Sequence, residues 1–236
     1  NFRNHLILQV AQKAMVFQKC SPGIPTPALK ILHGKELSFN NYLDIQGAIN
    51  AVKDLERPGC AVIKHTNPCG LSEGDDLRWA FEAAWKGDPI SAFGSIVSFN
   101  RRVTRETVEY LDFKNKDKAR RKFVEIVLAP EFDQDSLEYL KESKNLRVIE
   151  FTLPEKPPPY EFRFVDGLLL RQEADNTLFE NLEAKSGETL EAGRRELACF
   201  GIKASRLLKS NAIVVVRELA GQGFQLLGMG TGQPNR

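Results

Sequence analysis

From Asn41 onward, apolar residues fall into a repeating scheme. Ile45, Ala48, Ile49, Val52 and Leu55 recur at helical spacing, and Pro58-Gly59 ends the run. "CAVIKH" (60–65) then reads as a short buried strand. Leu77, Ala80, Phe81, Ala84 and Trp85 mark the stripe of a second helix, with Asp75 as its N-cap and Gly87 as its end. The alternation continues through strand "GSIVSF" (94–99), helix "TRETVEYL" (104–111), strand "FVEIVLAP" (123–130), helix "SLEYLKES" (136–143) and strand "NLRVIEF" (145–151). Strands taking turns with helices predict a layered α/β fold on a largely parallel sheet.

The ends of the chain are less regular. "HLILQVAQKAMVF" (5–17) is apolar without a clean period, so strand and helix both stay open, and "SPGIPTPA" (21–28) reads as a loop. "TLPEKPPPY" (152–160) is a proline-rich connector and a subdomain boundary. Beyond it come a strand near "EFRFVDGLLLRQ", a long loop and a helix around 190–208. "SNAIVVVR" and "FQLLGMGTGQ" then form a hairpin across Gly221 and Gly223. The expected division is therefore 1–151, a connector over 152–189, and the start of a second unit over 190–236. A helix followed by "CAVIKHTNPCG" is echoed by a helix followed by "LLKSNAIVVV", a faint internal repeat.

Composition narrows the function. The 236 residues carry a formal net charge of +2 and 42% hydrophobic residues, enough for a real core and without the basic surplus of a nucleic-acid binder. No apolar run is long enough to span a bilayer. Cys20, Cys60, Cys69 and Cys199 show no short spacing and read as small buried hydrophobes in a reducing, cytoplasmic setting. The basic run "KNKDKARRK" (114–122) reads as a solvated helix face or loop.

Candidate chemistry gathers at the end of the "CAVIKH" strand. Lys64 and His65 are sequence neighbours there, and on a regular strand they would face opposite ways. Pro68 and Gly70 predict a turn just beyond them. A histidine can take a proton from a nucleophile near neutral pH, and a nearby ammonium can stabilise a developing oxyanion. Acyl transfer fits such a pair without a metal. "PCG" is similar to part of the zinc-deaminase signature, but Ser72 stands where its second cysteine would be and Asn67 where its glutamate would be. No metal site is expected. Asn40 and Asn41 precede a helix; one would cap it and the other could face a ligand. Gly94 would permit close backbone approach to a planar ligand, whereas the glycine-rich "GMGTGQPNR" (228–236) lacks the Gly-Lys-Ser of a phosphate loop.

Eight blocks stand in a familiar order: "LHGKELSFNNYLDIQGA", "IKHTNPCG", "DPISAFGSIVSFNR", "FVEIVLAP", "KNLRVIEF", "GLLLRQ", "KSNAIVVV" and "GMGTGQPNR". Together they resemble the formyltransferase part of the bifunctional purine-biosynthesis enzymes, aminoimidazole carboxamide ribonucleotide (AICAR) transformylase. The resemblance implies transfer of a formyl group from 10-formyltetrahydrofolate to the 5-amino group of AICAR. It implies cytidine-deaminase-like α/β/α subdomains without zinc, one complete here and a second begun. It also implies a homodimer with active sites at the interface. Lys64 and His65 match the family's catalytic pair, and Asn40, Gly94, Glu125, Asn211 and Arg236 match its nucleotide-binding positions. Asn211 would hold the amine and carboxamide groups, and Arg236 the phosphate. The family's opening Arg-Tyr-Gly-x-Asn-Pro-His-Gln segment is not matched; "HLILQVAQKAMVF" occupies that region, with Gln12 its one aligned residue. The family's preceding cyclohydrolase domain and its further C-terminal stretch, which supplies much of the folate site, are expected to lie outside these residues.

Overall fold

A computed structural model describes residues 28–180, 182 and 191–234. The readings made for 1–27, for Cys20 and for Arg236 lie outside the described residues. In chain order the elements are β1 (Ala28–His33), α1 (Phe39–Lys53), β2 (Gly59–Lys64), β3 (Asn67–Gly74), α2 (Leu77–Gly87), β4 (Ser95–Phe99) and α3 (Arg105–Val108). They continue with β5 (Val124–Ala129), α4 (Gln134–Lys141), β6 (Arg147–Thr152), β7 (Tyr160–Val165), β8 (Leu168–Glu173), α5 (Ala192–Arg206), β9 (Ile213–Leu219) and β10 (Gly223–Gly230).

Eight strands form one sheet in the order β1-β6-β5-β4-β2-β3-β10-β9. Among the described residues only β4–β5 and β5–β6 pair in parallel. The other neighbours are antiparallel, so the sheet is mixed rather than largely parallel. The expectation failed because "NPCGLSEG" is a strand. β3 returns directly along β2, and a hairpin replaces a crossover. β9 and β10 form the expected hairpin, but β10 also pairs with β3, so residues beyond 190 extend the same sheet. The 161–172 segment is two strands, not one. Asp166-Gly167 reverses the chain with φ of 46° and 84°, the left-handed pair that a two-residue hairpin needs.

Helices cover both faces of the sheet. Cys60, Val62, Val97, Phe99, Val127 and Val148 pack with Phe81 and Trp85 of α2, Val108 of α3 and Leu140 of α4. Their strand neighbours Ala61, Ile63, Ile96, Ile126, Leu128 and Ile149 pack with Ile45, Ala48 and Val52 of α1 and Phe200 and Ala204 of α5. Period-two alternation with both faces apolar produces the continuous hydrophobic strand runs seen in the sequence. Helix starts follow local chemistry. Asp76, one residue past the expected Asp75, accepts from the Trp79 amide at 2.7 Å, and Asp133 accepts from Ser136 at 2.7 Å. Ser38, rather than Asn40 or Asn41, caps α1.

Two interactions lock the central strands. Gly70 of β3 lies so close under α2 that a methyl group there would overlap the Ala84 carbonyl. On the other face, buried Lys203 of α5 reaches Glu56 at 2.9 Å and buried Glu73 of β3 at 3.8 Å. Glu73 also accepts from the Glu56 and Arg57 amides.

Phe81 is fully enclosed and meets Trp85, Phe99 and Tyr110 edge to face. Phe81→Ala is expected to destabilise the fold by about 3–5 kcal/mol. Chemical denaturation should show this as a lower midpoint at unchanged slope. A shift worth less than about 1 kcal/mol would mean that this aromatic cluster is not the centre of its layer.

Candidate functional site

The β2–β3 hairpin reverses at His65-Thr66, before the prolyl and glycyl residues that signalled a turn. Lys64 pairs with Asn67, and the two residues between them have φ of 53° and 65°. Left-handed backbone at both positions is the two-residue hairpin geometry that Asn-Gly usually fills. Histidine tolerates it; a β-branched threonine does so only under constraint. The constraint is visible. Thr66 donates its amide to Asp44 Oδ1 of α1 at 2.7 Å. The His65 carbonyl accepts from Thr66 Oγ1 at 2.6 Å and from Asn67 Nδ2 at 2.9 Å. Pro68 and Gly70 flank a β-bulge: Val62 pairs with Gly70 and Ile63 with Pro68, leaving Cys69 as the extra residue.

Lys64 and His65 leave the tip in different settings. Lys64 Nζ donates to the Phe93 carbonyl at 2.7 Å, beside Gly94. Gly94 itself has φ of 73° and donates its amide to Phe123 O at 2.8 Å. The exposed Phe93 ring leans on Phe123 with centroids 5.2 Å apart. Asp88 is near enough to feel the ammonium. Hydrogen bonds from Ser91 hold the Asp88 carboxyl below its usual range, and the Lys64 charge adds to the effect. Burial pushes the Cys69 thiol up to about 11, with Asp88 reinforcing and Lys64 opposing.

His65 is exposed and lies within charge range of Asp44. Burial raises the Asp44 carboxyl; the Thr66 amide and His65 pull it down, and Glu125 pushes it further up. Asn41 links this cluster to the start of α1. Its Oδ1 accepts from the Ser38 amide at 3.0 Å, while its Nδ2 donates to Glu125 Oε2 at 3.4 Å. Arg147 stands 3.8 Å from the same carboxylate.

The strand register gathers the expected residues at one end of the sheet. Lys64 ends β2, Gly94 precedes β4, Glu125 is near the start of β5, and Asn40 is exposed on the first turn of α1. Asn211 precedes β9, and its antiparallel neighbour β10 runs toward this same end from its pairing with β3. It exchanges hydrogen bonds with Gln233: Asn211 Nδ2 donates to Gln233 O at 3.2 Å and the Gln233 amide donates to Asn211 O at 3.1 Å. Asp44, Thr66, Asn67, Phe93 and Arg147 were not anticipated. Asp44 and Gly47 follow Asn41 at three-residue steps on α1, and that stripe was the available signal. Among the described residues, no three His, Cys, Asp or Glu side chains gather as a metal site, and no helix is long and apolar enough to cross a membrane. A cleft of about 520 Å³ lies elsewhere, under the basic run. Its cations are engaged: Lys114 pairs with Glu142 at 2.7 Å, and Lys122 sits 3.8 Å over the Tyr110 ring.

Comparison with known proteins adds an independent line. The model of the AICARFT/IMPCHase bienzyme family matches residues 9–236. The bifunctional purine biosynthesis protein PurH of Petrotoga mobilis is 38% identical over 226 residues, covering 95% of this chain and 42% of that protein. PurH of Caldicellulosiruptor saccharolyticus is 39% identical over 207 residues, covering 87% and 38%. PurH of Clostridium botulinum strain Kyoto is 40% identical over 212 residues, covering 90% and 40%. The chain thus spans about two fifths of the length of the curated relatives it matches.

The bulge position of Cys69 has a chemical consequence. A thiol raised to about 11 holds roughly a hundredfold less thiolate at pH 8 than one at the ordinary value of 9.0. Iodoacetamide at pH 8 should therefore label the Cys69 peptide far more slowly than an unstructured cysteine peptide, as followed by mass spectrometry. Equal rates would show the bulge to be open.

Proposed function

The chain belongs to the AICARFT/IMPCHase bienzyme family, and on that premise we propose that it carries the Lys-His part of a formyltransferase site. The reaction is transfer of the formyl group of 10-formyltetrahydrofolate to the 5-amino group of AICAR. The observation that carries this reading is the hairpin tip. It presents an exposed imidazole from His65 and, from the preceding residue, an ammonium bound to the Phe93 carbonyl next to Gly94.

The aromatic amine of AICAR is a poor nucleophile because its lone pair is drawn into the ring. As its nitrogen bonds to the formyl carbon, the carbon–N10 bond of the folate breaks. One amine proton must leave and N10 must gain one. His65 would take that proton and return it to N10, and Lys64 would steady the oxygen that becomes negative in between. Asn40, Gly94, Glu125 and Asn211 stand at the same sheet end and would meet the nucleotide, with Arg236 for its phosphate. Glu125, set between Asn41 and Arg147, offers a carboxylate acceptor for a ligand's N–H or O–H groups. Helices on both faces of the sheet support the cytidine-deaminase-like layering. The second such subdomain, over 190–236, would share its sheet with the first through β10 and β3. A homodimer with the site at its interface belongs to the same reading.

Lys64→Ala and His65→Ala are each expected to lower formyl transfer by about 10²–10⁴-fold. AICAR affinity by calorimetry should stay within a few-fold of the unaltered chain. Near-normal turnover in either variant would overturn its assigned role. AICAR binding without turnover by the unaltered chain, even when the remaining length of a relative is supplied, would favour a nucleotide-binding relative over an enzyme.

A further inference from the structure

We infer that Asp44 is a positioning residue: by accepting the Thr66 amide, it holds the left-handed His65-Thr66 turn and with it the His65 imidazole. The inference rests on the reading of His65 as the proton acceptor, and goes beyond it by naming what keeps that group in place.

The geometry is specific. A type of turn that normally takes Asn-Gly here holds His-Thr, at φ of 53° and 65°. Hydrogen bonds within the tip, from Thr66 Oγ1 and Asn67 Nδ2 to the His65 carbonyl, tie the turn only to itself. The 2.7 Å bond from Thr66 N to Asp44 Oδ1 ties it to the body of the fold, because Asp44 is half-buried on α1. One turn further along, Gly47 lets the helix and the tip touch. A Cβ at that position would lie 3.2 Å from the Thr66 carbonyl oxygen. The helix is itself fixed at its start by the Ser38–Asn41 capping box and on its inner face by Ile45, Ala48 and Val52. The result is a rigid bracket: acceptor at Asp44, clearance at Gly47, and the reactive pair across from them. Asp44 also carries charge near His65, so the bracket has an electrostatic side that is separable from its hydrogen bond.

Three variants of this chain separate these effects. Asp44→Ala removes acceptor and charge, and Asp44→Asn keeps an acceptor oxygen but no charge. Gly47→Ala leaves Asp44 alone and crowds the tip, while favouring the helix through alanine's higher propensity. Thr66 amide hydrogen exchange and the His65 ring resonances are read by NMR, alongside melting temperature, kcat and KM for AICAR. Asp44→Ala should speed Thr66 exchange by at least about tenfold and lower kcat by at least about tenfold, the scale of an ångström-sized misplacement, with KM nearly unchanged. Asp44→Asn should restore Thr66 protection and most of kcat. Gly47→Ala should melt no lower than the unaltered chain yet shift the His65 resonances and lose kcat several-fold.

Undiminished Thr66 protection in Asp44→Ala overturns the inference whatever the kinetics show. Lost protection with full kcat overturns it too, because the bracket would then not matter to the chemistry. Failure of the underlying reading shows separately, as full turnover in His65→Ala.

Discussion

The tight reversal at His65-Thr66 is the constraint on which the rest of the molecule depends. It sets the register of β2 against β3, and these two strands join the halves of the sheet. β4, β5, β6 and β1 hang from β2; β10 and β9 hang from β3. A slip of one residue at the tip would turn every side chain of β3 to the opposite face of the sheet. The same two residues present the imidazole and place the preceding lysine. Fold and candidate chemistry are therefore specified by one short piece of backbone, held in a conformation that neither side chain would choose alone.

Around that hairpin, polar groups go where a polar job exists. Exposed pairs such as Lys30–Glu150 and Arg102–Glu131 add little to stability. Glu73 and Lys203 differ because both are removed from water. Each is satisfied by the other and by the surrounding donors and acceptors. They fasten α5, the helix that follows the connector, to the middle of the sheet. Asn41 shows similar economy: one end of its amide completes a helix cap and the other reaches Glu125.

Much of this was legible in the residues. The stripes of α1 and α2 and the buried runs of β2, β4, β5 and β6 follow directly from period 3.6 and from strands covered on both faces. The position of Lys64 at a strand end follows as well. β3 was hidden because Pro68 and Gly70 are turn signals, and here they serve a bulge inside a strand. A turn built from His-Thr carries no glycine to announce it. Reading a turn too late turned a hairpin into an imagined crossover, and with it a mixed sheet into a parallel one. Asp44 was overlooked for a related reason. Its value lies in a contact with Thr66, 22 residues away, that exists only once the hairpin has folded back onto α1.

The close seating of α2 on Gly70 carries a consequence for sequence change. Gly223, which pairs with Gly74 at the other end of β3, is equally crowded, since any side chain there would run into the Glu73 carbonyl. Backbone meets backbone along this line, and no rotamer can move out of the way. In a library of random variants these glycines should tolerate almost nothing, though neither has a side chain to contribute. Their intolerance would come from shape alone, and a reader who equates mutational sensitivity with reactive groups would misplace the candidate site.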